Sequence, residues 1–162
     1  MRPLKTGFVA FALAVPCASA WAEDPSFLSV GAGWYDVVNR DDDAAEMRLE
    51  YRPSFRYWLF KPLVGAMVNS DGSFHGYAGI VSDFYFGRRV VVSPSVAPGF
   101  FVKGGGKDLD YPLEIRSQLE IAYRFDDRSR LGLAFSHMSN AGLGDRNPGS
   151  ESVTVYYSIP LQ

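Results

Sequence analysis

One short stretch near the C-terminal end carries the three residue types of a serine hydrolase. The stretch FSHMSNAGLGDRNPGSES, residues 135–152, holds His137, one of two histidines in the 162-residue chain. Ser139 follows two residues later, and Glu151 follows twelve residues after the serine. A serine hydroxyl needs a base to become a nucleophile at neutral pH, and an imidazole suits that work. An acid beside the imidazole would hold its tautomer and stabilise its charged form.

Apolar and polar side chains alternate on both sides of this stretch, which predicts two β-strands joined by a loop. Since residues of one parity share a face of a strand, His137 and Ser139 point the same way. Glu151 begins the following strand, so we expect it across the ladder from His137. Ester hydrolysis also requires an oxyanion hole, for which we expect free backbone N–H groups at Asn140 and Gly142.

The same three residues also fit an interpretation without catalysis. A His-x-Ser triplet is common by chance, and polar residues are a normal end to an apolar stripe. Placement on a lipid-facing surface would favour chemistry, because polar side chains that face lipid are costly. The spacing alone leaves both interpretations open.

Alternation of period two recurs along the chain and predicts an all-β fold. In LEIRSQLEIAYRF, residues 113–125, leucine and isoleucine share one face, while glutamate and arginine share the other. The pattern predicts eight antiparallel strands, most of them as long as a tilted membrane strand of about 9–11 residues. The predicted strands are 27–38, 45–53, 58–69, 74–86, 89–102, 112–125, 130–140 and 151–160.

The connections favour an eight-stranded antiparallel transmembrane β-barrel of the outer membrane. Those after the first, fifth and seventh predicted strands are long and polar, whereas those after the fourth and sixth are tight. Outer-membrane barrels have short periplasmic turns and longer external loops, which places the loop after Ser139 outside. A soluble barrel of lipocalin type also alternates and stays an alternative. The ending YYSIPLQ departs from the aromatic last residue that membrane barrels usually carry.

The first 22 residues predict a secretory signal peptide, which leaves residues 23–162 as the barrel domain. Their apolar run is too short to span a bilayer as a helix, and cleavage is expected after residue 20 or 22. Of the 16 basic residues, two lie in the signal, which leaves 14 against 18 acidic ones and a formal charge of −4. This balance argues against nucleic acid as the main partner. Cys17, the one cysteine, leaves with the signal, so no disulfide or thiol nucleophile is expected.

Three other features are better explained by structure than by chemistry. His75 shares a strand face with Asp83, which predicts that it lies inside the barrel. The aspartates at 41–43 lack the spacing of a calcium loop, and the glycines at 104–106 lack that of a phosphate-binding loop. We therefore interpret the aspartates as a solvated external loop and the glycines as a flexible loop.

The stretch around Ser139 resembles the lipid A 3-O-deacylase family of Gram-negative outer membranes. The likeness is carried by HMSNAG, then NPG, then Glu151 at the head of the last strand, and more loosely by FKPLVGAMVNSDGSFHGYAGI and SPSVAPGFF. The resemblance implies an eight-stranded barrel with a serine-hydrolase site on its lipid-facing surface, which removes the ester-linked acyl chain at position 3 of lipid A. It implies the following roles: Ser139 as nucleophile, His137 as general base, Glu151 as orienting acid, and Asn140 with Gly142 as the oxyanion hole. It implies no metal and no organic cofactor.

The expected substrate is therefore lipopolysaccharide in the outer leaflet, and the expected surroundings are membrane lipid. A non-enzymatic barrel that stabilises the membrane or binds a ligand is the main alternative. A phospholipid ester is an alternative substrate for the same site. The sequence leaves the oligomeric state open, with a homodimer as one alternative.

Overall fold

A computed structural model of the chain describes residues 24–40 and 42–161, and the predicted signal peptide at 1–22 lies outside them. No helix in these two ranges is long and apolar enough to cross a membrane. The strands are β1 (Ser26–Tyr35), β2 (Ala44–Arg52), β3 (Lys61–Asn69), β4 (Phe74–Val81), β5 (Phe84–Phe86), β6 (Val90–Val102), β7 (Leu113–Arg124), β8 (Arg130–Ser139) and β9 (Ser150–Leu161).

The strands close into an eight-stranded antiparallel barrel, which confirms the predicted fold class. β1 pairs with β2 on one side and with β9 on the other, so the two ends of the chain are joined, from Ser26 opposite Leu161 onward. β4 and β5 both pair with β6 and together make one barrel strand, interrupted at Ser82 and Asp83. The nine strand segments therefore form eight barrel strands.

The predicted start of the third strand was wrong. β3 begins at Lys61 rather than at residue 58. The preceding residues form a separate miniature hairpin, in which Tyr57 and Phe60 make an isolated antiparallel bridge. The connection between β2 and β3 is therefore 53–60, longer than the sequence pattern indicated.

The predicted fourth strand, 74–86, is also not continuous. It breaks after Val81, where Asp83 turns into the lumen. The Asp83 carboxylate meets Lys61 at 3.0 Å and Arg130 at 3.1 Å. An ion-paired residue at this point interrupts the ladder without opening the barrel, because β5 resumes the pairing with β6.

Polar side chains line the lumen and apolar side chains cover the outside, as expected of a membrane barrel. On β7, Glu114, Arg116 and Glu120 are buried, whereas Leu119 and Ile121 are exposed. The same alternation runs along β2 and β8. An apolar exterior around a charged interior is the arrangement of a membrane barrel.

Charged residues in the lumen pair with one another. Glu50 lies 2.8 Å from Arg116 and 3.0 Å from Arg52, and it accepts a hydrogen bond from the Tyr77 hydroxyl at 2.8 Å. Arg52 also meets Glu120 at 2.7 Å. An eight-stranded barrel is narrow enough for side chains to fill it. The outer surface, and not the lumen, is therefore the place where a lipid could bind.

The described residues that were interpreted above as structural lie in the lumen or in loops. His75 is buried in the lumen, as its strand face predicts. The glycines at 104–106 lie in the loop between β6 and β7. Asp42 and Asp43 are exposed in the loop after β1, and Asp41 lies outside the described residues. In the part of the chain that the structure covers, no group of three His, Cys, Asp or Glu side chains is arranged to hold a metal ion.

Candidate active site

Strands β8 and β9 bring the candidate base and acid together. His137 lies directly opposite Glu151 in the ladder, and its Nδ1 is 2.8 Å from Glu151 Oε1. The contact arises because β8 ends and β9 begins at the same level, on either side of the loop 140–149. This is the relative placement that the spacing predicts.

The hydrogen bond between this pair selects the imidazole nitrogen that remains available. When Nδ1–H of His137 is donated to the carboxylate, Nε2 carries the lone pair and points away from Glu151. The imidazole is 47% exposed on the outer face, so Nε2 can be reached from the lipid side. The second carboxylate oxygen, Glu151 Oε2, is buried and has no hydrogen-bond partner in the described part of the chain.

Ser139 ends β8 on the same outer face as His137. Residues two apart in a strand are separated by about 6.6 Å at Cα, so the hydroxyl must lean along the strand to reach Nε2. The base and the acid are joined in the described ranges, but no hydrogen bond there joins the Ser139 hydroxyl to His137. Hydrogen bonds of this kind are often long without substrate and tighten when it binds.

The three polar residues end an apolar stripe on the outer wall. Phe135 and Leu133 precede His137 on the same face of β8 and are exposed. Phe135 is flanked in the ladder by Leu119 on β7 and by Val153 on β9, which are also exposed. An acyl chain lying along this stripe would stay in hydrocarbon while its ester end approached the polar residues.

The backbone N–H groups that were expected to be free are donated within the loop. The Gly142 N–H donates to the Asn140 side-chain oxygen at 2.9 Å, and the Asn140 N–H donates to the Asn147 side-chain oxygen at 3.2 Å. Both N–H groups are therefore occupied in this conformation of the loop, and the oxyanion hole at Asn140 and Gly142 stays a prediction. The physical reason is that a backbone N–H removed from water needs a hydrogen-bond acceptor, and side-chain amide oxygens supply it here.

Asn140 is completely buried and ties its loop to a neighbouring one. Its side-chain nitrogen donates to the carbonyl oxygen of Arg146 at 2.7 Å and to that of Leu109 at 3.1 Å. Leu109 belongs to the loop 103–112, between β6 and β7. One side-chain amide therefore joins two external loops directly beside Ser139. Sequence reasoning missed this role, because nothing in the spacing relates Asn140 to a residue 31 positions earlier.

An ion pair that the sequence did not reveal joins the same two loops. Asp110 accepts a hydrogen bond from the Arg146 backbone N–H at 2.9 Å and from its guanidinium group at 3.2 and 3.3 Å. These bonds lower the pKa of Asp110, and the backbone N–H of Arg146 is the largest cause. The carboxylate is therefore charged at neutral pH, and we call the Asp110–Arg146 pair the loop clamp.

Gly149 leaves room for the imidazole. It lies at the end of the loop with φ of 61°, a left-handed conformation that glycine adopts without steric cost. A Cβ at this position would lie 3.1 Å from His137 Cε1, closer than an ordinary contact. The glycine of the NPG motif therefore serves both the turn and the position of the ring.

Comparison with protein families gives a match over most of the chain. A family model described as lipid A 3-O-deacylase (PagL) matches residues 28–160. This range contains every candidate residue of the outer site. No curated protein sequence matches the chain significantly.

Two solved structures are similar to the barrel. One is the crystal structure of the outer membrane enzyme PagL, with a TM-score of 0.66, 19% sequence identity, and coverage of 83% of this chain and 99% of that chain. The other is the Yersinia pestis outer membrane protein Ail in a phospholipid bilayer nanodisc, with a TM-score of 0.50, 12% identity, and coverage of 84% and 100%. At these identities the likenesses show the fold alone. Neither these comparisons nor any described contact supports the homodimer alternative.

Proposed function

Because the chain belongs to the lipid A 3-O-deacylase family, we propose that it hydrolyses the 3-O-acyl ester of lipid A with Ser139 as nucleophile, His137 as general base and Glu151 as orienting acid. The observation that carries these roles is the 2.8 Å bond from His137 Nδ1 to Glu151 Oε1, beside Ser139 on the lipid-facing side. The family is one of the Gram-negative outer membrane, and residues 1–22 are proposed as the signal that exports the chain there.

In the first half-reaction, Ser139 Oγ attacks the ester carbonyl carbon while its proton passes to His137 Nε2. Glu151 keeps Nδ1 as the donor and stabilises the imidazolium. The tetrahedral intermediate then loses the sugar oxygen, which takes the proton from Nε2 and leaves as the 3-hydroxyl group. The acyl chain remains on Ser139 as an ester.

In the second half-reaction, a water molecule gives a proton to His137 Nε2 and its oxygen attacks the acyl carbonyl carbon. The bond to Ser139 Oγ breaks, and Oγ recovers the proton from Nε2. The products are 3-O-deacylated lipid A and one free fatty acid. Each turnover consumes one water molecule and regenerates the neutral imidazole.

The oxyanion of each intermediate is expected to take over donors that the loop now uses internally. The N–H groups of Gly142 and Asn140 bond to neutral amide oxygens, those of Asn140 and Asn147. Hydrogen bonds to a charged acceptor are roughly twice as strong as those between neutral groups. An oxyanion placed beside Ser139 would therefore compete well for both N–H groups. Such donors aimed at developing charge are a large contribution to catalysis.

The position of Ser139 also suits the substrate. It lies at the external end of β8, which is the level of the lipopolysaccharide leaflet when the longer loops face outward. The apolar stripe below it offers a surface for the acyl chain, so the ester can reach the hydroxyl without leaving the membrane. A phospholipid ester has the same bond type, and the test below distinguishes the two substrates.

The direct test uses the full chain refolded in detergent and mixed with purified lipopolysaccharide. Mass spectrometry of lipid A compares the wild type with Ser139→Ala and with Ser136→Ala. Ser136 is the matched control because it lies on the same strand but is buried on the lumen side. We expect loss of one hydroxyacyl mass with the wild type and with Ser136→Ala, and no loss with Ser139→Ala.

The other outcomes are equally informative. Release of the acyl chain by Ser139→Ala at the wild-type rate would exclude Ser139 as the nucleophile. No release by any variant, with folded barrels shown by heat-modifiable gel mobility, would favour a non-enzymatic barrel. Release of fatty acid from phospholipid vesicles but not from lipopolysaccharide would change the substrate and keep the chemistry.

A further inference from the structure

The connection between β2 and β3 is unusually long for its end of the barrel. Residues 53–60 join these strands, whereas the two other connections at that end are 87–89 and 125–129. This end lies opposite the Ser139 loop and therefore faces the periplasm, where barrel turns are short. Residues 53–60 are therefore more than a hairpin needs to join two adjacent strands.

The connection is held to the barrel at its start, where the Ser54 N–H donates to the Ser26 hydroxyl at 3.0 Å, and its tip folds on itself. The Tyr57 N–H donates to the Phe60 carbonyl at 2.9 Å, and the Phe60 N–H donates to the Tyr57 carbonyl at 3.0 Å. Trp58, between them, has φ of 57°, a left-handed conformation that bulky residues rarely adopt. The turn therefore holds an indole at its tip, in a backbone conformation that a glycine or an asparagine would accept more easily.

The tip presents apolar side chains to its surroundings. Tyr57 and Trp58 are 86% and 75% exposed, more than any other large hydrophobic side chain in the described ranges. Phe55, Leu59 and Phe60 are exposed as well. A cluster of this kind on a protein surface marks a contact with another protein or with a membrane.

The cluster is continuous with the lipid-facing wall. The ring of Trp58 meets that of Phe60 edge to face, with centroids 6.0 Å apart. Phe60 in turn lines a shallow groove of about 230 Å³ on the outer wall, together with Ile80, Pro94 and Val96. The apolar surface of β4 and β6 therefore runs without a break onto the connection, which favours lipid over a protein partner.

The charge of this rim also fits a phospholipid leaflet. The connections 53–60, 87–89 and 125–129 contain four arginines and two aspartates, which gives a net charge of +2. Arg89 is paired with Asp126 at 2.7 Å, so part of this charge is balanced within the rim. Phospholipid headgroups carry phosphate, and basic residues near a membrane surface are attracted to anionic lipid.

We propose that residues 53–60 form an interfacial anchor, which inserts Tyr57 and Trp58 into the boundary between headgroups and acyl chains of the periplasmic leaflet. Indole and phenol rings favour this depth because each has an apolar body and one polar group that stays hydrated. The proposal depends on the barrel being in a membrane and not on the esterase chemistry.

Depth-dependent fluorescence quenching tests the anchor. The full chain is refolded into vesicles of phosphatidylcholine and phosphatidylglycerol that contain lipids brominated at different acyl depths. Trp21→Phe with Trp34→Phe leaves Trp58 as the one indole, and Trp21→Phe with Trp58→Phe leaves Trp34, at the external end of the wall, as the control. We expect blue-shifted Trp58 emission that is mostly lost with the shallowest bromine and less affected by deeper bromine.

Two results would overturn the anchor. In the first, Trp58 emission is water-like, is quenched by aqueous iodide and is unaffected by brominated lipid. In the second, Trp58 is protected from both quenchers, which would indicate a second copy of the chain over the tip. Leu59→Cys with Cys17→Ser, carrying a nitroxide label, measures the same depth by electron paramagnetic resonance if a tryptophan variant does not fold.

Discussion

The lumen and the outer wall of this barrel both contain a carboxylate beside basic side chains, but the basic partner is arginine in the lumen and histidine on the outer wall. Glu50 in the lumen is held by Arg116 and Arg52 and by two tyrosine hydroxyls. Glu151 on the outer wall has His137 as its partner. A carboxylate surrounded by fixed cations holds structure, because none of its partners changes charge at neutral pH. A carboxylate bonded to one imidazole can stabilise a charge that appears and disappears during proton transfer.

The two histidines provide the largest expected contrast. His137→Gln should lower kcat for lipid A deacylation by at least about a thousandfold, because the base is lost while binding and oxyanion contributions remain. His75→Gln, in the lumen, should leave kcat close to the wild-type value and change the free energy of unfolding by about 1 kcal/mol. Initial rates of fatty-acid release and urea midpoints from gel mobility measure the two effects. Equal losses of kcat in both variants would remove the distinction.

The two carboxylates test the same comparison from the acid side. Glu151→Gln should lower kcat by about a hundredfold to ten-thousandfold, since the amide no longer holds the donor tautomer of His137 or stabilises its charge. Glu50→Gln should instead cost about 3–5 kcal/mol of stability, because the arginines beside it are left uncompensated. The rate and the urea midpoint are measured for each variant. A destabilised but fully active Glu151→Gln barrel would contradict the assignment of the acid.

A backbone substitution distinguishes the proposed oxyanion donor, the Gly142 N–H, from an ordinary turn bond. Replacing the peptide N–H of Gly142 by an ester oxygen, through incorporation of an α-hydroxy acid, should lower kcat by about a hundredfold to a thousandfold. The same replacement at Leu143 removes a turn bond to the Asn140 carbonyl, found at 3.0 Å, and should have a much smaller effect. Single-turnover rates compare the two proteins. A larger loss at Leu143 would show that loop shape, rather than a donor at Gly142, limits the reaction.

The loop clamp should produce the smallest change in rate. Asp110→Asn removes the charge that holds Arg146, so the loop beside Ser139 should loosen and kcat should fall by less than about a hundredfold. Asp108→Asn is the control for the loop itself, because Asp108 pairs with Lys103 at 3.2 Å and accepts a hydrogen bond from the Asp110 backbone N–H at 2.9 Å, both inside its own loop. A loss of rate with Asp108→Asn that equals the loss with Asp110→Asn would show that the effect is general to the loop.

The clamp also predicts a pH dependence. A carboxyl group whose folded pKa is depressed stabilises the fold at every pH above its unfolded pKa, about 3.9 for aspartate. This stabilisation is lost as the pH falls through the lower folded pKa. In micelles, the amide chemical shift of Arg146 should therefore titrate with a midpoint below the ordinary Asp110 value of 3.8, and it should not titrate in Asp110→Asn. A midpoint above 3.8 would contradict the bond between Asp110 and this amide.

The placement of the site residues could be predicted where it depended on local parity. His137 and Ser139 are two residues apart in a strand, so they share a face wherever that strand pairs. The alternation around Arg116 and Glu120 separated a charged face from an apolar one, and closure into a membrane barrel places the charged face in the lumen. The state of the N–H groups at Asn140 and Gly142 could not be predicted, because it depends on which side chains of the loop happen to lie within hydrogen-bonding distance.

The amino-acid sequence by itself determined that this chain forms long, two-faced strands and that Ser139, His137 and Glu151 lie at one hairpin. These properties follow from residue spacing, which is local. The tertiary structure alone decided the pairing of β1 with β9, the break at Asp83, the miniature hairpin at 53–60 and the loop clamp. Each of these depends on groups from separate strands or loops, or on a turn without alternation, and a period-two pattern carries no information about such contacts.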